Sequence, residues 1–162
     1  MKPLNIRPLQ FPEEIVLADE MLKALHTSEQ TLNPNTAKWE EISTSYLQHV
    51  QECMNECEGV FLVAEIDKEA VGFIFGYIDE PDDSNFERGS GSDLYVSEGF
   101  VKPECRKMGI YTALNSTFEN HFSHHHIRRI YRYTLVANTT MQQWLSHAGY
   151  QAVRMVYEKW KQ

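Results

Sequence analysis

Apolar side chains along this chain recur with two different periods, and the switches between them lay out its elements. Asn5 to Leu9 predicts a short first strand. Pro12 then opens a helix, in the first turn where its missing N–H costs nothing, with Ile15, Met21, Leu22 and Leu25 on one face. The polar run TSEQTLNPNT (27–36) interrupts it with an Asn-Pro. Trp39, Ile42, Tyr46, Val50 and Met54, at steps of three and four, predict a second helix that stops near Gly59. Two strand-like runs follow, VFLVAEI (60–66) and AVGFIFGYI (70–78), joined by DKE as a hairpin. The loop EPDDSNFERGSGSD (80–93) is polar and acidic, and Asp93 to Val101 reads as another strand. Ile110, Leu114, Phe118 and Phe122 then recur every fourth residue as a helix. Ile127 to Val136 is a strand, Thr139 to His147 a short helix and Gln151 to Trp160 a last strand. The order β-α-α-β-β-β-α-β-α-β is that of a mixed α/β fold.

Composition narrows the classes. The 162 residues suffice for one domain (1–162) with a full core, and 42% hydrophobic with 23% charged residues is ordinary for a globular chain. A net charge of -8 argues against nucleic acid and suits a cationic ligand, which long-range attraction would steer inward. No apolar run approaches a membrane span, and MKPLNIRPL has no hydrophobic signal core, so the expected location is cytoplasmic. The three cysteines are an odd number. Cys53, Cys57 and Cys105 read as reduced thiols, not as a zinc site, and no metal is expected.

The stretch VKPECRKMGIYTAL (101–114) carries the chemistry. A strand end runs through a proline and two cations into Gly109 and a helix. Such a turn points several backbone N–H groups and the positive end of the helix dipole at one spot, which favours phosphate. Local chemistry serves a plain surface turn equally well. The Walker spacing is absent, since Ile110 and Tyr111 follow Gly109, and so is G-x-G-x-x-G.

The same stretch resembles the acetyl-CoA signature of the GNAT N-acetyltransferases, V-x-P-x-x-[RQ]-x-x-G-x-[GA]-x-x-L, departing from it at Tyr111. Asn138 and the Gly149-Tyr150 pair match the family's later N…G-[FY] run. The resemblance implies a central, mostly antiparallel twisted sheet, splayed between its fourth and fifth strands and flanked by helices. It implies acetyl-CoA as cosubstrate, its diphosphate held by the N–H groups of Lys107, Met108, Gly109, Ile110 and Tyr111, with Arg106 and Thr112 alongside. Pantetheine would pair with the main chain at Phe100 and Val101, and Asn138 would touch CoA. At Tyr111 a side chain projects where the family has little or none, and it either packs sideways against the strand or weakens cofactor binding.

Amine acetylation needs a base, because an alkyl ammonium has a pKa near ~10.4. Glu98, where family members often carry an acid, is the candidate base if the strand bulges as theirs does. Asp93 and Tyr95 are secondary candidates, and a solvated carboxylate is the competing reading of Glu98. The family's thiol-protonating tyrosine is replaced by Leu145; His147 is not obviously aimed inward, and Tyr150 reads as core. His121, His124, His125 and His126 suggest metal, but neighbours at a helix end point apart, and cations there complement the dipole. Glu80, Asp82, Asp83 and Glu87 are read as a solvated loop, with attraction of a cationic acceptor as the competing reading. The expected function is acetyl transfer to a primary amine of a small cationic molecule (aminoglycoside- or polyamine-like) or of a peptide. A non-catalytic CoA-binding sensor is the alternative, motivated by Leu145 and Tyr111. A homodimer is left open.

Overall fold

The computed structural model describes residues 3–81, 86 and 89–161. Five strands form one sheet in the order β1-β2-β3-β4-β5: Leu4–Pro8, Val60–Ile66, Glu69–Asp79, Ser92–Val101 and Ile127–Tyr131. The first four pair antiparallel, and β5 runs parallel to β4. The four helices are α1 (Ile15–Gln30), α2 (Trp39–Glu56), α3 (Ile110–His121) and α4 (Thr139–His147).

Strand alternation divides the core in two. Phe61, Val63, Phe73, Phe75 and Phe100 face α1 and α2, packing on Leu22, Leu25, Trp39 and Val50. Leu62, Ile74, Leu94, Val96 and Val101 face α3 through Ile110, Leu114 and Phe118. The β2–β3 hairpin turns tightly on Asp67 and Lys68, both at positive φ (54° and 68°), a twist that suits antiparallel strands.

Three sequence expectations need correction. The first helix starts at Ile15, not at Pro12, because Glu14 is clamped outside it. Its carboxylate accepts two N–H bonds from Arg7 (2.8 and 2.9 Å) and one from the Gln10 backbone (2.8 Å). Second, β5 ends at Tyr131 instead of Val136. Arg132 leaves the sheet to bond Tyr111 and Asn115 of α3. Third, residues 151–161 form no strand of this sheet. Gly149 turns the chain at φ 88°, and the Tyr150 hydroxyl is held by Arg132 at 3.0 Å. The segment beyond is exposed and pairs with none of the five strands.

Candidate active site

The site begins at an irregularity in β4. Val96 lies opposite Gly76, but Glu98 lies opposite Phe75, so Ser97 is an extra residue with no partner across the ladder. In a regular strand Glu98 would share the α3 face with Leu94 and Val96. One extra residue reverses the alternation and sends Glu98 to the α1/α2 face. There it accepts a short hydrogen bond from the Tyr46 hydroxyl of α2. Dense surroundings push its carboxyl up to about 7; the Tyr46 bond lowers it and the nearby Glu29 of α1 raises it. Burial raises Glu29 as well. Glu98 nonetheless keeps a partial opening to solvent. A partly open group that exchanges its proton near neutrality is suited to general base work.

Tyr95, one of the secondary candidates, joins an aromatic group on the same side, its ring 5.4 Å from Tyr77 and 4.8 Å from Tyr131. Burial pushes its hydroxyl up to about 12, too high for a base near neutrality. Asp93 is fully buried and ion-paired with Arg128 (2.7 Å) and Arg129 of β5. Burial by itself would raise its pKa, but the two guanidiniums outweigh that and hold it below the usual carboxylate range. It serves as a tie between β4 and β5.

The same bulge marks where the sheet opens. β4 pairs with β5 only through Tyr95, so among the described residues no strand lies beside its outer edge from Val96 to Val101. That is the expected splay between the fourth and fifth strands. At its end a 3-10 turn (Pro103–Cys105) leads to Lys107 and Gly109, both left-handed (φ 64° and 76°), and then to α3. Arg106 braces this turn: its Nε donates to the Val101 carbonyl (2.9 Å) and its guanidinium lies over the Phe100 ring. Among the described residues, no hydrogen bond engages the backbone N–H of residues 107 through 112. These are the orphan donors of a helix start, gathered in one turn, and they fit a diphosphate. A side chain at Gly109 would meet open space, so glycine is required by its φ. Gly109→Ala should therefore destabilise the fold by about 1 kcal/mol through left-handed strain. It should also raise KM for acetyl-CoA more than it lowers kcat, as denaturation and initial rates would show.

Tyr111 packs sideways. Its hydroxyl lies 2.6 Å from where a Cβ of Gly99 would stand, so glycine on β4 makes room for this tyrosine on α3. Arg132 donates to that hydroxyl (2.6 Å), to the Asn115 carbonyl oxygen (2.6 Å) and to Tyr150. Trp144 of α4 meets the Tyr111 ring edge-on at 4.7 Å and donates to the Thr112 hydroxyl at 3.1 Å. Tyr150 is thus part of an arginine-centred polar knot and not of the apolar core. Asn138 caps α4, its Oδ1 accepting from Met141 N at 3.1 Å. Leu145 is partly buried, and the His147 Nδ1 donates to the Gln143 carbonyl of its own helix.

Glu29, Tyr46, Gly99 and Arg132 were not singled out for the site by sequence reasoning. Tyr46 appeared only as one member of a core stripe. Expected divergence of the histidines also needs correction: the ligand atoms of Glu58, His124 and His125 lie within 4.8 Å of one another. α3 ends at His121, so the later histidines sit on a turn, where His125 bonds Glu58 at 2.8 Å. Glu80 accepts from Ser92 at 2.7 Å, while Asp82, Asp83 and Glu87 lie outside the described residues. The three thiols are free; burial pushes Cys53 up to about 11. Among the described residues no helix is long and apolar enough to cross a membrane.

A bulged β4, a parallel β5 splayed from it and a turn of unpaired N–H groups between β4 and α3 define a class of fold, and comparison with known proteins agrees. The family model of the acetyltransferase (GNAT) family matches residues 20–150, and the chain belongs to that family. It is 42% identical over 62 residues to an uncharacterized N-acetyltransferase of Methanocaldococcus jannaschii, covering 38% of this chain and 33% of that protein. The match thus spans about a third of that relative's length. Among solved structures, an aminoglycoside N-acetyltransferase, AAC(6')-Iy, in complex with CoA superposes with a TM-score of 0.70. Identity is 17%, with 99% of this chain and 96% of that chain covered. A putative acetyl transferase from Pyrococcus furiosus gives 0.72 at 19% identity, covering 97% and 99%. An aminoglycoside acetyltransferase from an uncultured soil metagenomic sample, in complex with sisomicin, gives 0.68 at 12%, covering 98% and 95%.

Proposed function

We propose that this chain transfers the acetyl group of acetyl-CoA to a primary amine of a small cationic acceptor, aminoglycoside- or polyamine-like, with Glu98 as general base. One observation carries the reading: the Ser97 bulge turns a carboxyl with a pKa near 7 onto the α1/α2 face of the unpaired half of β4. Acetyl-CoA, when bound, supplies the acetyl group as a thioester. The N–H groups of Lys107 to Tyr111 hold its diphosphate, with Thr112 and Asn138 nearby, and the free edge of β4 at Phe100 and Val101 aligns its pantetheine. Val101 already gives its carbonyl to Arg106, so Phe100 offers the less encumbered amide contacts.

Glu98 and Glu29 place two carboxyls near one another, and the -8 net charge attracts polycations from a distance. Glu98 takes one proton from the incoming ammonium, and Tyr46 fixes which carboxylate oxygen faces it. The neutral nitrogen then forms the amide bond as the carbon–sulfur bond breaks, and its remaining surplus proton goes to sulfur. A thiol pKa of ~8.5 makes that thiolate a weak base, so Leu145 in place of a tyrosine is compatible with turnover.

Thiol release from acetyl-CoA, measured against a panel of polyamines, aminoglycosides and lysine peptides, tests the reading. Turnover with the small polycations at lowest KM is expected. Tight CoA binding with no turnover on any amine would overturn it and favour a sensor.

A further inference from the structure

At the end of α3 away from the turn at Gly109, three side chains able to ligate a metal come together from two separate parts of the chain. Glu58 lies just past α2, and His124 and His125 lie on the turn that leads from α3 into β5. One ligand atom of each lies within 4.8 Å of the others. α3 has 12 residues, so this group stands roughly 18 Å along the helix from Gly109, apart from the acetyl-transfer site.

The backbone fixes both halves. Past α2, the Cys57 and Gly59 amides both bond the Cys53 carbonyl (3.0 Å each), which holds Glu58 between them at a φ of 50°. Glutamate rarely adopts that left-handed backbone. A side chain on Gly59 would stand 2.8 Å from the Cys53 carbonyl oxygen, so glycine permits this close reversal. Across from it, Phe122 is 1% exposed and accepts from the His125 amide at 3.0 Å, which anchors the histidine turn in the core. The His126 carbonyl accepts from the Ser92 amide of β4 at 2.9 Å.

His125 Nε2 lies 2.8 Å from a Glu58 carboxylate oxygen. Its Nδ1 is buried with no hydrogen-bond partner among the described residues, so packing and Glu58 set the ring's orientation. The His124 ring lies 4.2 Å from it, centroid to centroid. An ion pair between Glu58 and His125 accounts for their contact alone. It does not account for the second imidazole, which brings another nitrogen to the same point.

We infer that Glu58, His124 and His125 bind one zinc ion. Two imidazoles and a carboxylate, with water in the fourth position, suit zinc, whereas magnesium and calcium take oxygen ligands. Ligands at 2.0–2.1 Å from a tetrahedral zinc stand roughly 3.4 Å apart. The Glu58–His125 pair therefore opens by about 0.6 Å, and the widest pair closes by at most about 1.4 Å. Glu58 is 64% exposed and His124 is exposed, so both can turn while the mostly buried His125 stays in place. α2 packs on one face of the sheet and α3 on the other, so the ion clasps the two layers at one end of the molecule.

Calorimetric titration of zinc chloride into the untagged, chelator-treated full chain should show one site per chain, with no competition from magnesium or calcium. His124→Ala and Glu58→Gln change exposed side chains, so their far-UV circular dichroism should match wild type. Their zinc affinity should fall roughly 100-fold or more, since losing only a partner of a ligand already costs 10- to 100-fold. Zinc at about 100 times the wild-type Kd should raise the wild-type melting temperature by several degrees and those of the variants by about one degree or less. Binding only at millimolar zinc, an affinity within about 10-fold of wild type in either variant, or competition by magnesium or calcium would each overturn the site.

Discussion

Glu98→Gln should lower kcat/KM for the best amine by roughly 10²- to 10⁴-fold at pH 8, the usual contribution of a positioned general base. Glutamine keeps the oxygen that Tyr46 bonds, so the geometry at the bulge survives and only proton uptake is lost. The pH dependence gives the sharper signature. Glu98 titrates near 7, so the wild-type rate should climb through that region as the carboxyl ionises, and the variant should lack that inflection. At higher pH the acceptor begins to lose its proton unaided, near ~10.4 for an alkyl amine, and the gap should close. The ratio of the two enzymes should therefore peak between these limits and fall on either side. Parallel profiles across the range would remove Glu98 as base and leave it as an amine-binding anion.

The same substitution should stabilise the fold. A carboxyl raised from an ordinary 4.5 to about 7 keeps its proton in the folded state after the unfolded chain has lost it. Between those values the folded state binds more protons, so stability falls as pH rises and stays lower above 7. The difference corresponds to roughly 3 kcal/mol at most. Glutamine has no proton to lose and escapes this penalty. Its melting temperature should exceed wild type by several degrees at pH 8, with no gain at pH 4. A surface carboxylate would show neither effect, because its replacement usually stays within about ±0.5 kcal/mol. Lost rate together with gained stability would mark Glu98 as a group held under strain for its chemistry.

What could be read in the sequence was what local pattern determines. The hairpin at residues 60–79 and the turn ahead of α3 are set by neighbours a few positions apart, and both stand where periodicity and turn chemistry put them. The face on which Glu98 emerges was not legible. DLYVSEGFV alternates well enough for either choice, and the extra residue at Ser97 appears only once β4 is laid against β3. Tyr111 shows the same limit from the other side. Against a family pattern it looked like an obstruction in the cradle, and its resolution lies in Gly99 on a different element. Glu29 and Tyr46 join the site only because α1 and α2 pack over β4, which no single helix pattern conveys. The last strand failed for a further reason. Its β-type pattern is genuine, but strand formation depends on an available edge, and none within the chain's own sheet receives it.

Asp93→Ala should lower stability at pH 7 by about 3–5 kcal/mol, a large part of what a domain of this size possesses. Asp93 is 1% exposed, and its carboxylate accepts from Arg128 and Arg129 together, fastening the start of β4 to β5 below the point where they part. Alanine removes the counter-charge and leaves both guanidiniums to be desolvated without it. The sign of the pH dependence is opposite to that of Glu98. The Asp93 pKa is held below the ordinary range, so its contribution is present at neutral pH and fades as acid protonates the folded carboxyl. Wild type and variant should accordingly converge in urea denaturation as the pH is lowered, with their widest separation near neutrality. Asp93→Asn, which can still accept from one arginine, should fall between them. In whatever fraction of the variant stays folded, the rate inflection near pH 7 should not move, because Glu98 sits past the bulge on the other half of the strand. An Asp93→Ala protein of ordinary stability with a displaced inflection would instead make Asp93 the base.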